Sequence, residues 1–210
     1  MQRKEQILMT AVQLFNDKGY ANVSLREIAR EAGTTIGNLT YHFPKKEDLI
    51  LTLLDTLHTK FILDIPKDKH RAELLSHLLN SFLTAEQNEK EHPFYYKNIY
   101  ELTMCSEILA ERNKIFQKDL YDYYIQIFTK LKKDGVLRKS VRSCDISSMA
   151  YMIVLSTAVW LQSNTPYSNE LLPDIRISVS LCHMIQANIS EEYEEEFKKL
   201  VKEKGLCFPN

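Results

Sequence analysis

Residues 19–46, GYANVSLREIAREAGTTIGNLTYHFPKK, constrain this chain more than any other stretch, because they read as two short helices joined by a tight turn. Ser24 stands where an N-cap is wanted, and its hydroxyl can accept a hydrogen bond from an unpaired first-turn amide. Leu25, Ile28, Ala29 and Ala32 follow at helical spacing on one face, with Arg26, Glu27, Arg30 and Glu31 on the other. Gly33 occupies the place of a left-handed C-cap, which glycine adopts without a Cβ penalty. A second short helix, about Thr35 to His42, buries Leu39 and Phe43 and turns Thr35, Asn38, Tyr41 and His42 outward. Helix, glycine-containing turn and second helix with an uncharged polar face is the layout that reads base edges in DNA.

The same stretch resembles the TetR family of bacterial transcriptional regulators. Gly19, Ser24, Ile28, Ala29, Ala32, Gly33, Leu39, His42, Phe43, Lys46 and Leu49 fall into register with the family's long gapless pattern. The match covers about the first quarter of the chain; beyond it, only length and helical character agree. One position departs from the pattern: the tyrosine usual after Leu39 is Thr40 here, with Tyr41 next. The phosphate contact that this tyrosine commonly makes in relatives therefore falls to either Thr40 or Tyr41.

Residue chemistry divides the expected DNA contacts. Asn38 can pair with adenine, and Thr35 and Tyr41 can meet thymine methyls, phosphates or base edges. Lys46, at the start of the next helix, suits a phosphate, and Ser24 and Arg26 suit a second one. Thr40, His42 and Lys45 complete the expected set. Bulk charge contributes little: the net charge is −1. Within residues 1–50, Arg3, Lys4, Lys18, Arg26, Arg30, Lys45 and Lys46 oppose Glu5, Asp17, Glu27, Glu31, Glu47 and Asp48, a net of +1. Placement of charge, not its sum, must support DNA binding.

Only 5 glycines and 6 prolines interrupt 210 residues, and helical periodicities fill the intervals. An all-α fold of about nine to ten helices follows, with an N-terminal three-helix helix-turn-helix domain (1–61) and a larger helical body (62–210), for which the resemblance implies effector binding and dimerisation. Helix 1 spans about Gln2 to Lys18, and helix 4 about Lys45 to Asp64, a lever with one end in each domain. In the body we expect helices at about Lys69 to Asn88, Phe94 to Ser106, a short piece to Arg112, and Asn113 to Asp134. Others run from about Asp145 to Ser163, Pro173 to Ile189, and Ser190 to Lys204. The last places glutamates at its positive end and lysines at its negative end, as a solvated surface helix should.

The two helices around Met149 to Leu161 and Ile175 to Ile189 are apolar nearly all round, so each needs neighbours on every side. The body supplies one side and a second copy of the chain the other, with Ala150, Ser156, Ala158, Val179 and Met184 at the contact. The resemblance agrees, since the family's penultimate large helices usually build a four-helix dimer interface. Tyr95, Tyr96, Tyr100, Met104, Phe116, Tyr123, Tyr124 and Trp160 are candidates to line a cavity for a small-molecule effector that is mostly apolar or aromatic. The alternative for such aromatics is ordinary core, and the cavity itself rests largely on the resemblance.

No G-x-S-x-G, P-loop, G-x-G-x-x-G or H-E-x-x-H occurs, and His42, His58, His70, His77, His92 and His183 lack tight ligand spacing. No enzyme, cofactor or metal is expected. Cys105, Cys144, Cys182 and Cys207 are scattered, as thiols of a reducing cytoplasm are. No signal peptide is read at the start, and the run from Met149 to Leu161 is shorter than the ~20 residues a bilayer requires. The chain thus reads as a cytoplasmic, homodimeric, ligand-responsive repressor on a palindromic double-stranded DNA operator. The alternative is a helical small-molecule or protein-interaction module with a vestigial DNA-binding domain.

Overall fold

The computed structural model describes residues 3–61, 71–163 and 176–207. Among these, ten α-helices and two short 3-10 turns carry the fold, with no strand. The helices are α1 (Arg3–Lys18), α2 (Leu25–Glu31), α3 (Ile36–His42), α4 (Lys46–Phe61), α5 (Arg71–Glu91), α6 (Pro93–Cys105), α7 (Glu107–Lys133), α8 (Ser143–Ser163), α9 (Ile177–Gln186) and α10 (Glu194–Glu203). The all-α expectation holds.

The helices form two compact units. Unit 1 comprises Met1–Thr59 and Glu91–Ile115, and unit 2 comprises Lys60–Lys90 and Phe116–Asn210. In unit 1 the apolar face of α1 (Ile7, Ala11, Leu14, Phe15) is buried together with Val23, Ile28, Ala29, Ala32, Leu39 and Phe43. Leu49, Ile50, Leu53, Leu54 and Leu57 continue that buried face along α4. Helix α6 contributes Phe94, Tyr95, Tyr96 and Leu102.

Unit 2 has one continuous core. Leu74, Leu75, Leu78, Leu79 and Phe82 of α5 meet Leu120, Tyr124, Ile127, Phe128 and Leu131 of α7, with α8, α9 and α10 closing around them. The loops at either end of α8 and α9 are stitched by an isolated antiparallel bridge between Leu137 and Ile189. Glu86, buried in α5, takes hydrogen bonds from Lys90 at 2.6 Å, from Arg176 at 2.9 Å and from Ser178. Burial alone would raise its carboxyl, but those donors overcome it and hold Glu86 down at about 2.

One expected break is absent. The short piece to Arg112 and the following helix are a single 27-residue helix, α7. Nothing between Glu107 and Lys133 is glycine or proline. Ser106 starts it instead, with its hydroxyl accepting from the Leu109 amide at 3.4 Å and its carbonyl from Ala110 at 3.0 Å. The expected extensions of helix 4 beyond Phe61 and of helix 9 before Arg176 lie outside the described residues.

Candidate nucleic-acid interface

Each of the two short helices is defined at its ends by side chains. The Ser24 hydroxyl accepts from the Glu27 amide at 3.2 Å, and the Thr35 hydroxyl accepts from the Asn38 amide at 3.2 Å. Both are N-caps with extended backbone. Between them Gly33 takes φ 60°. Its N–H reaches the Arg30 carbonyl at 3.1 Å while the Thr34 N–H reaches the Ala29 carbonyl at 2.9 Å. This paired closure turns the chain sharply from α2 into α3 and requires the left-handed residue that glycine supplies.

Leu39 and Phe43 are buried, so α3 can present only its opposite side. That side is open at Tyr41, which is 82% exposed; Ile36, also exposed, sits in the first turn about 140° around the helix from it. Gly37 beside them has no heavy atom near its missing Cβ.

The expected contact residues separate by what already engages them. Arg26 and Lys45 are exposed, and neither belongs to an ion pair among the described residues. Asn38 is half-buried and donates from Nδ2 to the Thr34 hydroxyl at 2.8 Å, which fixes the orientation of its amide. Thr40 turns its hydroxyl back to the carbonyls of Ile36 and Gly37, at 3.0 and 3.2 Å. Of the two candidates for the tyrosine position of the resemblance, Tyr41 is therefore the open one. His42 is half-buried with its ring edge-on to Tyr41, the centroids 5.2 Å apart.

Lys46 has a role that sequence reasoning missed. Its ammonium donates to the carbonyls of Tyr20 at 2.7 Å and Val23 at 2.9 Å, and lies 4.1 Å from the Tyr20 ring centroid. Burial lowers its pKa. Two of its three N–H groups thus hold the turn before α2. A lysine one residue into a helix gave no sign of this, because its acceptors lie 26 and 23 residues earlier.

Residues 7–53 match the sequence profile of the bacterial regulatory proteins of the tetR family. These residues carry the DNA-binding domain of the TetR family. The chain is a helix-turn-helix transcriptional regulator and not an enzyme. An HTH-type transcriptional regulator of Staphylococcus aureus is 29% identical over 156 residues, 66% of this chain and 77% of that protein. Against other curated TetR-type relatives the chain spans about half their length, 45% of one from Bacillus subtilis and 58% of one from Aromatoleum. Among solved structures, a TetR-family regulator from Marinobacter aquaeolei shares the fold with a TM-score of 0.77, at 22% identity over 97% of this chain and 98% of that one. SmeT of Stenotrophomonas maltophilia, solved with triclosan, shares it at 0.67 and 18% identity, over 100% of this chain and 96% of that one.

The residues of the expected effector set belong to both units. Tyr95, Tyr96, Tyr100 and Met104 lie in unit 1, whereas Phe116, Tyr123 and Tyr124 lie in unit 2. Tyr100 and Met104 are 68% and 70% exposed, because at 100° per residue they stand about 140° and 180° around α6 from the buried Tyr95. These two belong to a surface, which corrects the expectation. Tyr95 is buried and donates to Asn113 at 3.3 Å. In unit 2 the Tyr124 hydroxyl lies 3.2 Å from that of Ser81, and Tyr123 packs on His77 and Tyr124. Burial pushes Tyr123 up to about 12 and Tyr124 higher still. The side chain of Trp160 lies outside the described residues.

The expected dimer residues also separate. Ala150 and Val179 are buried in the core of unit 2 itself and cannot reach a partner, a second correction. Ser156, Ala158 and Met184 are half-buried, and beside them Tyr151, Met152 and Leu155 of α8 are exposed. Periodicity alone could not tell which side of an all-apolar helix the chain itself would cover. Among the described residues no helix is long and apolar enough to cross a membrane, and no group of three acidic, histidine or cysteine side chains could hold a metal ion.

Proposed function

We propose that the protein is a ligand-responsive repressor that acts in the cytoplasm as a homodimer on a palindromic operator. The open side of α3, with Tyr41 uncovered on a helix pinned by Leu39 and Phe43, carries this reading. Tyr41, Asn38 and Thr35 read the major groove, while Arg26, Ser24 and Lys45 border it and suit flanking phosphates. Thr40, His42 and Lys46 support that face from behind. The functional boundary is drawn at residues 61/62, with the helical body beyond it receiving the effector and a second copy.

Dimerisation uses the exposed side of α8, Tyr151, Met152 and Leu155, with Ser156, Ala158 and Met184 alongside. Two heads so joined favour half-sites about one helical turn of DNA apart. The effector is a largely apolar or aromatic small molecule, the class to which the triclosan bound to SmeT belongs. Its binding alters α4 and with it the spacing of the heads.

Selection of bound duplexes from a random pool tests the reading. Recovery of an inverted repeat is the expected result. Equal recovery of all sequences, with affinity set by salt alone, would reject it.

A further inference from the structure

The chain passes between its two compact units at residues 59/60, 90/91 and 115/116. At the second of these, α5 ends at Glu91 and α6 begins at Pro93, with His92 alone between them. Such a junction leaves carbonyls at the end of one helix and amides at the start of the next without helical partners. The His92 side chain makes no cap hydrogen bond to α6.

Asn16, in the last turn of α1, serves both ends with one amide. Its Nδ2 donates to the Glu91 carbonyl at 2.9 Å, and its Oδ1 accepts from the Phe94 N–H at 3.3 Å. The two bonds run in opposite directions, so the position needs a side chain that both donates and accepts, as the amide does. Beside it, the Phe15 ring lies 5.1 Å from that of Phe94 and 5.2 Å from that of Tyr20. Tyr20 in turn is the residue held by Lys46. A continuous line of contacts thus runs from the α5–α6 junction through α1 to the turn that positions α2.

We propose that Asn16 is a positioning residue for operator binding, which ties the reading head to the α5–α6 junction. The proposal rests on the reading of α2 and α3 as the operator-binding face. Coupling of this kind is reciprocal: a change at the junction moves α1, and DNA that holds the head must steady the junction.

The Phe94 amide reports this directly, because its hydrogen-bond acceptor is Asn16 itself. Amide exchange is followed by NMR on the full chain, with and without operator duplex recovered by selection. In the wild type, operator should slow exchange several-fold at Phe94 as well as across residues 24–46. In Asn16→Ala the slowing at 24–46 should persist and that at Phe94 should vanish. Asn16→Asp keeps the acceptor but replaces the donor to Glu91 with a carboxylate oxygen, so the slowing at Phe94 should weaken there too. Slowing at Phe94 that survives in full in either variant overturns the proposal. So does a wild type that slows at 24–46 alone, a measurement that needs no variant to fold. Failure to slow at 24–46 would instead reject the operator-binding face.

Discussion

The ammonium of Lys46 stands 4.1 Å from the centroid of the Tyr20 ring while donating a 2.7 Å hydrogen bond to the carbonyl of that same residue. A cation over an aromatic face is attracted by the ring quadrupole, and more so where water is thinned out. Burial acts on both partners, lowering the Lys46 pKa and raising the Tyr20 hydroxyl to about 12. The first turn of α4 is thereby fixed to the segment that leads into α2.

Lys46→Ala should therefore cost stability before it costs charge. The Val23 carbonyl loses its donor and the Tyr20 carbonyl keeps only the Val23 amide at 3.4 Å, and an unmet buried polar group costs roughly 1–3 kcal/mol. Denaturant titration should show the loss, and operator affinity should fall with it. The salt dependence of DNA binding should keep its slope. A slope reduced in magnitude by about 1 would return Lys46 to the phosphate contact expected from sequence.

The reading helix makes a contrasting prediction. Tyr41 supports nothing in the fold beyond its edge contact with His42, so Tyr41→Ala should leave the denaturation midpoint unchanged and weaken operator binding. Asn38→Ala should relax preference at particular base pairs, by ~1–3 kcal/mol against the best site. It should also free Thr34, whose hydroxyl Asn38 now occupies. Competition assays with single-base operator variants read the difference. Wild-type affinity and wild-type base preference in both variants would show that another surface reads the DNA.

Legibility in the sequence followed the range of the interactions. The caps at Ser24 and Thr35 and the turn at Gly33 act over three to five residues, so residue type and spacing suffice to read them. The helices themselves follow from periodicity and from the rarity of glycine and proline. The roles of Lys46 and Asn16 depend on partners 26 and 78 residues away in the chain, and no local pattern encodes those. The aromatic set failed for a related reason. Tyr95 and Tyr100 are near in sequence but occupy opposite sides of α6, one in core and one in water.

Assembly can be probed by where a charge is placed. Leu155→Asp puts a carboxylate on an exposed face of α8 and should leave the subunit folded while shifting it from dimer to monomer in sedimentation. Val179→Asp puts one into the core of unit 2, where an unpaired buried charge is far more costly, and should unfold the chain. A wild type that sediments as a monomer at micromolar concentration would remove α8 as the dimer contact. A folded Val179→Asp would contradict its burial.

The last prediction concerns pH and Glu89. Its side chain is buried in α5, and its Oε1 has no hydrogen-bond partner among the described residues. Burial first, and the neighbouring Glu86 carboxylate second, raise it to about 8, with Lys90 opposing. The folded state therefore keeps a proton that the unfolded chain releases near the ordinary value of 4.5. Stability from this group is fully present below that ordinary value and is lost as pH rises through about 8. Glu89→Gln keeps the shape and removes the titration. Thermal midpoints measured from acid to alkaline pH should fall more steeply for the wild type than for the variant, and the two curves should separate most above about pH 8. Parallel curves across that window would mean that Glu89 is ionised in the folded protein and that water or a conformational change meets its charge.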